Sequence, residues 1–226
     1  MQQLDHLAII MDGNARWAKL NNTNQANGHR KGAEVIKSIL PHLSEMRIKY
    51  LTLYAFSSEN WQRPKMEISM LMDLLSSYLL DETQLLNEYG IKLKIIGNLT
   101  KLSSVLQKKI ADCVERTQNN SKATLCVAFS YGGRSEIVDA CRKIINSKIT
   151  VITEDNFKNY LYDPEMPDVD LLIRTSNSYR ISNFLLWQLA YAELYFLDKF
   201  WPDFTIDDMK TAILNYSNRK RTFGAR

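Results

Sequence analysis

His6-Leu7-Ala8-Ile9-Ile10-Met11-Asp12-Gly13-Asn14-Ala15-Arg16-Trp17 begins as a short apolar run and ends past an Asp-Gly break. The run reads as a buried strand. The break leaves the Asp12 carboxylate at the strand's carboxyl end, where ligands bind in open α/β sheets. Gly13 has no Cβ, so a ligand can approach the backbone closely there. Asn14, Arg16 and Trp17, with Ala15 between them, add an amide, a fixed cation and an aromatic wall. A carboxylate for a divalent cation, with backbone N–H groups and Arg for phosphate, makes a coherent diphosphate site. The plain alternative is a strand and a turn with solvated charges.

Outward from this stretch, Asn21 to Asn27 is polar and aperiodic and reads as a mobile loop. Gly28-His29-Arg30-Lys31-Gly32 then opens a helix. Its apolar positions Val35, Ile36, Ile39, Leu40, Leu43 and Met46 keep helical spacing, with Pro41 kinking or splitting it. His29, Arg30 and Lys31 fall at its positive end, which suits an anion. Tyr50 to Phe56 is a second strand, ending in the polar cluster Ser57-Ser58-Glu59-Asn60-Trp61-Gln62-Arg63-Pro64. A long helix follows from about Glu67 to Tyr89, with the stripe Ile68, Leu71, Met72, Leu75, Leu79 and Leu86. Such a stripe packs a core or walls a long apolar channel. Met66, Met70 and Tyr78 leave room for the channel.

Ile91 to Gly97 alternates with Lys92 and Lys94 outward, as an edge strand would. Leu102 to Gln118 is an amphipathic helix. Ala123 to Ser130 is a buried strand closed by Tyr131-Gly132-Gly133-Arg134, and Ser135 to Ile145 is helical. Thr153 caps a short helix reaching Tyr160. Asp170 to Ile173 is a fifth strand, and Thr205 to about Asn218 a final helix. Strands and helices alternating at this spacing imply βα units. The expectation is an α/β fold: one domain over residues 1–226, with a central, mainly parallel sheet flanked by helices.

The fifth strand delivers Arg174-Thr175-Ser176-Asn177-Ser178-Tyr179-Arg180-Ile181-Ser182-Asn183 at its end. Two arginines and several hydroxyls, with no neighbouring acid in the run, suit an oxyanion. Glu193 lies in a strongly apolar, aromatic run and needs a partner or a metal.

The charge balance is +4, from 29 Lys and Arg against 25 Asp and Glu. So small an excess does not compel nucleic-acid binding and equally suits a basic pocket for an anionic substrate. The chain also lacks a Gly-rich phosphate loop and a basic stripe, which argues against a nucleotide- or RNA-binding protein. Cys113, Cys126 and Cys141 are odd in number and set among apolar residues. They read as buried, reduced thiols of a cytosolic protein. No apolar run reaches about 18 residues and no signal peptide precedes the first strand. The expected location is the cytoplasm, with peripheral contact at the inner membrane face.

The runs His6 to Trp17, Gly28-His29-x-x-Gly32, Ser57-x-x-Asn60-Trp61-x-Arg63-Pro64, Arg174-Thr175 with Arg180 to Gln188, Tyr191-Ala192-Glu193 and Trp201-Pro202-Asp203-Phe204 occur in this order. Together they resemble the cis-prenyltransferase family along essentially the whole chain. The resemblance implies successive condensation of isopentenyl diphosphate onto farnesyl diphosphate with cis double bonds. The product would be a long-chain polyprenyl diphosphate such as undecaprenyl diphosphate, a cell-wall lipid-carrier precursor. By position, Asp12 would bind Mg²⁺ beside a diphosphate, with Glu193 completing the metal site. Gly13, Asn14, Ala15, Arg16, Trp17 and His29 would hold the allylic diphosphate. Arg174, Arg180, Ile181 and Ser182 would hold that of isopentenyl diphosphate. Ser57, Ser58, Glu59, Asn60, Trp61 and Arg63 would organise the reacting ends. The family gives the position of Asn60 a proton-acceptor role, but a neutral carboxamide is a very weak base and suits orientation better. The resemblance also implies a homodimer, with the basic tail Arg219 to Gly224 of one chain near the other's site.

Three departures from the family pattern stand out. Gln25 replaces an Arg of the allylic site, Asn177-Ser178 replace Gly-Glu, and Thr222 replaces a basic tail residue. The alternative function is a catalytically silent subunit of the same fold. Such a subunit would be expected to lose the metal Asp and the second-site arginines, which this chain keeps. Asp207-Asp208 lacks the third acid of the Asp-Asp-x-x-Asp motif of all-helical trans-prenyltransferases.

Overall fold

Six strands form one sheet in the order β3-β4-β2-β1-β5-β6, and every pairing in it is parallel. The strands are β1 (His6–Ile10), β2 (Tyr50–Ser57), β3 (Ile91–Ile96), β4 (Ala123–Tyr131), β5 (Leu171–Arg174) and β6 (Glu193–Phe196). The structure, a computed structural model, describes residues 3–219, apart from the side chains of residues 79–82. All five residues of β1 are buried, as both faces of a parallel sheet are covered. From β1 the chain runs outward on one side through β2 and on the other through β5. β1 and β5 therefore flank a topological switch point, whose carboxyl-end crevice is the ligand-binding place of such sheets.

The α-helices are α1 (Asn14–Leu20), α2 (Gln25–Ile39), α3 (Lys65–Tyr89), α4 (Ser104–Thr117), α5 (Gly133–Ile145), α6 (Glu154–Phe157) and α7 (Ile206–Ser217). Pro41 ends α2, and Leu40–His42 continue as a single 3-10 turn. α3 ends at Gly90, whose φ is +67°. The cap read from sequence is present, Thr153 accepting from Asn156 N, and Thr205 caps α7 in the same way by accepting from Asp208 N.

Three local expectations differ. The break read at Asp-Gly leads straight into a helix from Asn14, because Gly13 supplies a sharp entry to it. α2 starts at Gln25, where the Asn24 side chain accepts from Asn27 N. His29 thus sits in the second turn of α2, not at its positive end. β6 was not expected, being four residues long and only half-buried.

Side chains alternate between two cores. One face carries Leu7, Ile9, Leu51, Leu53, Leu93, Leu125 and Ile173 toward α2, α3, α4 and α7. The other carries Ala8, Ile10, Tyr54, Cys126, Ala128 and Leu172 toward Phe184, Leu185 and Leu189. Cys113 and Cys126 are buried as expected, but Cys141 is exposed. Among the described residues, no helix is long and apolar enough to cross a membrane.

Candidate active site

The carboxyl ends of β1, β2 and β5 converge on one mouth. Asp12 follows β1, and its backbone is pinned by Thr175, whose hydroxyl donates to Asp12 O at 2.7 Å. Gly13 has a φ of +106°, and a Cβ there would lie 2.6 Å from the Phe200 ring and 3.1 Å from Ser176 Cβ. Both conformation and space therefore require glycine.

The Asp12 carboxylate is held by two arginines. Arg174 Nη2 donates to Oδ2 at 2.8 Å, and Arg16 Nη2 to Oδ1 at 3.1 Å. Burial works to raise the carboxyl's pKa, but the hydrogen bonds and charges of Arg174 and then Arg16 outweigh it and hold the group below the ordinary Asp value. Arg174 itself is 4% exposed. Its Nη1 donates to Ser182 Oγ at 2.7 Å and to Arg180 O. The arginine run does therefore have an acid, one supplied from 162 residues away. The two phosphate sites expected near Asp12 and Arg174 are adjoining halves of one mouth. Arg180 is exposed at its rim and, among the described residues, its guanidinium pairs with nothing.

After β2, a 3-10 turn (Ser58–Gln62) forms the opposite rim. Ser57 N donates to Asn60 Oδ1 at 3.0 Å, which folds the Asn60 side chain back onto the turn. Trp61 Nε1 donates to Ser130 Oγ at 2.8 Å, and its ring packs edge-on against Phe56. Arg63 pairs with Glu67 at 2.9 Å. His29 faces the cavity from α2. Burial, helped by the charge of Arg63, lowers its pKa to about 4, so the imidazole is neutral at pH 7.

Behind the mouth lies a cavity of about 740 Å³. Its polar end is lined by Asp12, Gly13, Asn14, Ala15, Arg16, His29, Ser57, Glu59, Asn60, Arg63, Arg174, Arg180 and Ser182. The rest is apolar: Ile36 from α2, Leu71, Leu74, Leu75 and Tyr78 from α3, Leu53 and Ala55 from β2, and Val127 from β4. It closes at Thr83, Leu86, Leu93 and Leu125. Fifteen helical residues separate Leu71 from Leu86, so the tunnel is roughly 22 Å deep at about 1.5 Å per residue. The channel reading of the α3 stripe holds for Leu71, Leu75 and Leu86 but not for Ile68 and Met72, while Leu79 lies outside the described side chains.

Other expected site residues stand behind the cavity wall. Trp17 donates from Nε1 to Asp203 Oδ1 at 2.7 Å, and Trp61, Ser58 and Ile181 do not line the cavity. Within one chain, Glu193 does not reach Asp12 to make the expected metal pair. It begins β6, in register with Leu171 and so with Leu7, at the amino ends of the strands. Asp12 lies beyond their carboxyl ends. At about 3.3 Å per residue along the strand and about 4.8 Å between strands, the two carboxylates are on the order of 15–20 Å apart within one chain. Glu193 is instead paired with Arg219 at 2.6 Å. The tail from Lys220 to Gly224 lies outside the described residues. Sequence reasoning missed Asn183, which lines the mouth and links its rims. Its signal was only its place beside Ser182.

A cationic mouth opening on a deep apolar tunnel defines a protein for amphiphiles with a diphosphate-like head and a hydrocarbon tail. The comparisons agree. Residues 10–224 match the family model described as "Putative undecaprenyl diphosphate synthase". An isoprenyl transferase of Rickettsia typhi is 58% identical over the full length of both chains. One from Thermotoga maritima is 47% identical, covering 97% of this chain and 96% of its own. Lavandulyl diphosphate synthase from Lavandula x intermedia, solved with dimethylallyl diphosphate, superposes with a TM-score of 0.94 at 36% identity, covering 98% of each chain. A probable undecaprenyl diphosphate synthase from Campylobacter jejuni gives 0.86 at 36% identity, covering 99% of this chain and all of its own. The chain belongs to the undecaprenyl diphosphate synthase family of prenyltransferases.

Proposed function

We propose that the enzyme condenses isopentenyl diphosphate repeatedly onto farnesyl diphosphate, with cis double bonds, to give a long polyprenyl diphosphate of the undecaprenyl class. The observation that carries this reading is one continuous cavity with a cationic mouth and a roughly 22 Å apolar tunnel behind it. The allylic diphosphate lies against Asp12, Asn14, Arg16 and His29, and its tail enters the tunnel. The second diphosphate is held by exposed Arg180 with Ser182 and Arg174. Holding two anionic substrates side by side makes the bond-forming step effectively unimolecular. His29 is neutral and offers a hydrogen bond rather than charge.

Asp12 offers one carboxylate at the mouth, and no group of three or more His, Cys, Asp or Glu that could hold an ion exists among the described residues. That donor set suits Mg²⁺, which binds through one or two carboxylates plus substrate phosphates and retained waters. When bound, Mg²⁺ would stabilise the negative charge growing on the departing diphosphate. Glu193 would join such a site only from the second chain of a homodimer. Delivery of so apolar a product calls for contact with a membrane surface.

The test is the product pattern of purified protein given both diphosphates and Mg²⁺. Long-chain product is expected, and Asp12→Asn should lower turnover at least about 100-fold. The Asn variant is the better probe, because Asp12→Ala would strand the buried Arg174 charge at a cost of about 3–5 kcal/mol. A purified protein that binds the diphosphates without elongating them would favour the silent-subunit reading.

A further inference from the structure

We propose that Asn183 is a positioning residue that locks the turn Ser58–Gln62 to the loop carrying Arg180 and Ser182, and so sets the two rims of the mouth in register. The inference rests on the function proposed above and adds a part to it. Asn183 has a φ of +62° and follows Ser182, whose φ is +49°. This double left-handed turn sends the Asn183 side chain away from Ser182, toward the end of β4. There its backbone O accepts from Gly133 N at 2.7 Å, and its Oδ1 accepts from Arg134 N at 2.9 Å. With Oδ1 committed to the first turn of α5, the amide has one orientation left. Nδ2 donates to Glu59 Oε1 at 2.9 Å, and the other Glu59 oxygen accepts from Ser58 Oγ at 3.0 Å.

The approach is tight. A Cβ at Gly132 would lie 2.8 Å from Asn183 Nδ2 and 2.5 Å from Ser58 Oγ. On the other side, Ser182 Oγ accepts from Arg174, and Arg174 holds Asp12. A continuous chain of contacts thus runs from Asp12 through Arg174, Ser182 and Asn183 to Glu59 and its neighbour Asn60. The contacts to Gly133 and Arg134 would be accounted for by capping α5 alone. The contact to Glu59 would not, since Glu59 is an exposed residue of the opposite rim. Only a side chain with an acceptor on one arm and a donor on the other makes both.

The experiment follows from that polarity. Asn183→Asp keeps the acceptor for Arg134 N but sets a carboxylate against Glu59. Its kcat should fall about 10- to 100-fold, the loss expected for a charge-assisted hydrogen bond that aligns reacting groups. KM for either diphosphate should change less than about threefold, and Tm by less than about 3 °C. Amide exchange across residues 58–62 should quicken. Adding Glu59→Gln restores a donor–acceptor pair of reversed polarity and should recover at least about fivefold of the lost kcat. Glu59→Ala breaks the same bond from the exposed side and should reproduce the faster exchange if Asn183→Asp does not fold. Unchanged exchange in the single variants, or no recovery in the double one, would overturn the proposal. If the wild-type protein elongates nothing, the proposed function fails, and the exchange measurement alone still decides the lock.

Discussion

The two faces of the sheet are built to opposite ends. On the α3 side, Leu53, Ala55, Leu93, Leu125 and Val127 leave a cavity where a core would close. On the α5 side, Tyr54 stacks on Phe184 with ring centroids 4.3 Å apart, and Tyr131 meets both rings edge-on. Beneath them Glu136, 1% exposed, accepts from Tyr131 OH at 2.6 Å, Tyr162 N at 3.0 Å and Gln188 Nε2 at 3.3 Å. His6, on the same face, bonds Thr52 Oγ1 and Pro167 O at 2.8 Å each. The hollow face forgoes packing energy and leaves open the space into which the proposed tail would enter. The filled face holds the strands in place with aromatic contacts and a buried hydrogen-bond network centred on Glu136.

The largest stability effect should come from the filled face. Glu136→Ala leaves three buried donors without their acceptor and should cost on the order of 3–5 kcal/mol. By calorimetry that is a fall in Tm of roughly 10 °C for a chain of this size. A fall under about 3 °C would erase the contrast between the faces.

Acid should expose both faces next. Burial lowers the pKa of His6 and of His29 from 6.5 to about 4. The unfolded imidazoles therefore take up protons first as pH drops. Stability should be level above about pH 6.5 and decline from there to about 4. Asp12, whose pKa is lowered, contributes its loss only below the ordinary Asp range. Denaturant midpoints measured from pH 8 to 4 would check this, and a flat profile would show that the imidazoles are not buried neutral.

On the hollow face, Leu75→Ala should cost less than about 1.5 kcal/mol, against the 2–5 kcal/mol typical of packed cores, because Leu75 already borders empty space. Smallest in stability, at under about 0.5 kcal/mol, should be Ala55→Leu. It fills tunnel space and should shorten the product, as chromatography would show. Full-length product would mean that Ala55 does not bound the path of the chain.

The sequence made the strand-end motifs legible because each combines an apolar run with an abrupt polar cluster. Asp12, Asn60 and Arg174 were found that way, and the α/β architecture with them. Three kinds of feature were hidden. α1 begins directly at a break that reads as loop. β6 has too few residues, none of them fully buried, to show a period. Partnerships across the chain carry no local mark: Arg174 with Asp12, Asn183 with Glu59, and Glu193 with Arg219 join residues brought together only by the sheet.

The strand order bears also on how the chain folds. β1 is made first, yet it lies between β2 and β5, and its Leu7 pairs with Leu171. Until residue 171 has left the ribosome, β1 is an unpaired parallel edge of almost wholly apolar side chains, the kind of surface that associates wrongly. Closing so long a loop is slow. The β5 side of the mouth, with Arg174 and the loop to Ser182, is therefore the last to arrive, and the mouth has only one of its two adjoining halves until the sheet is nearly complete.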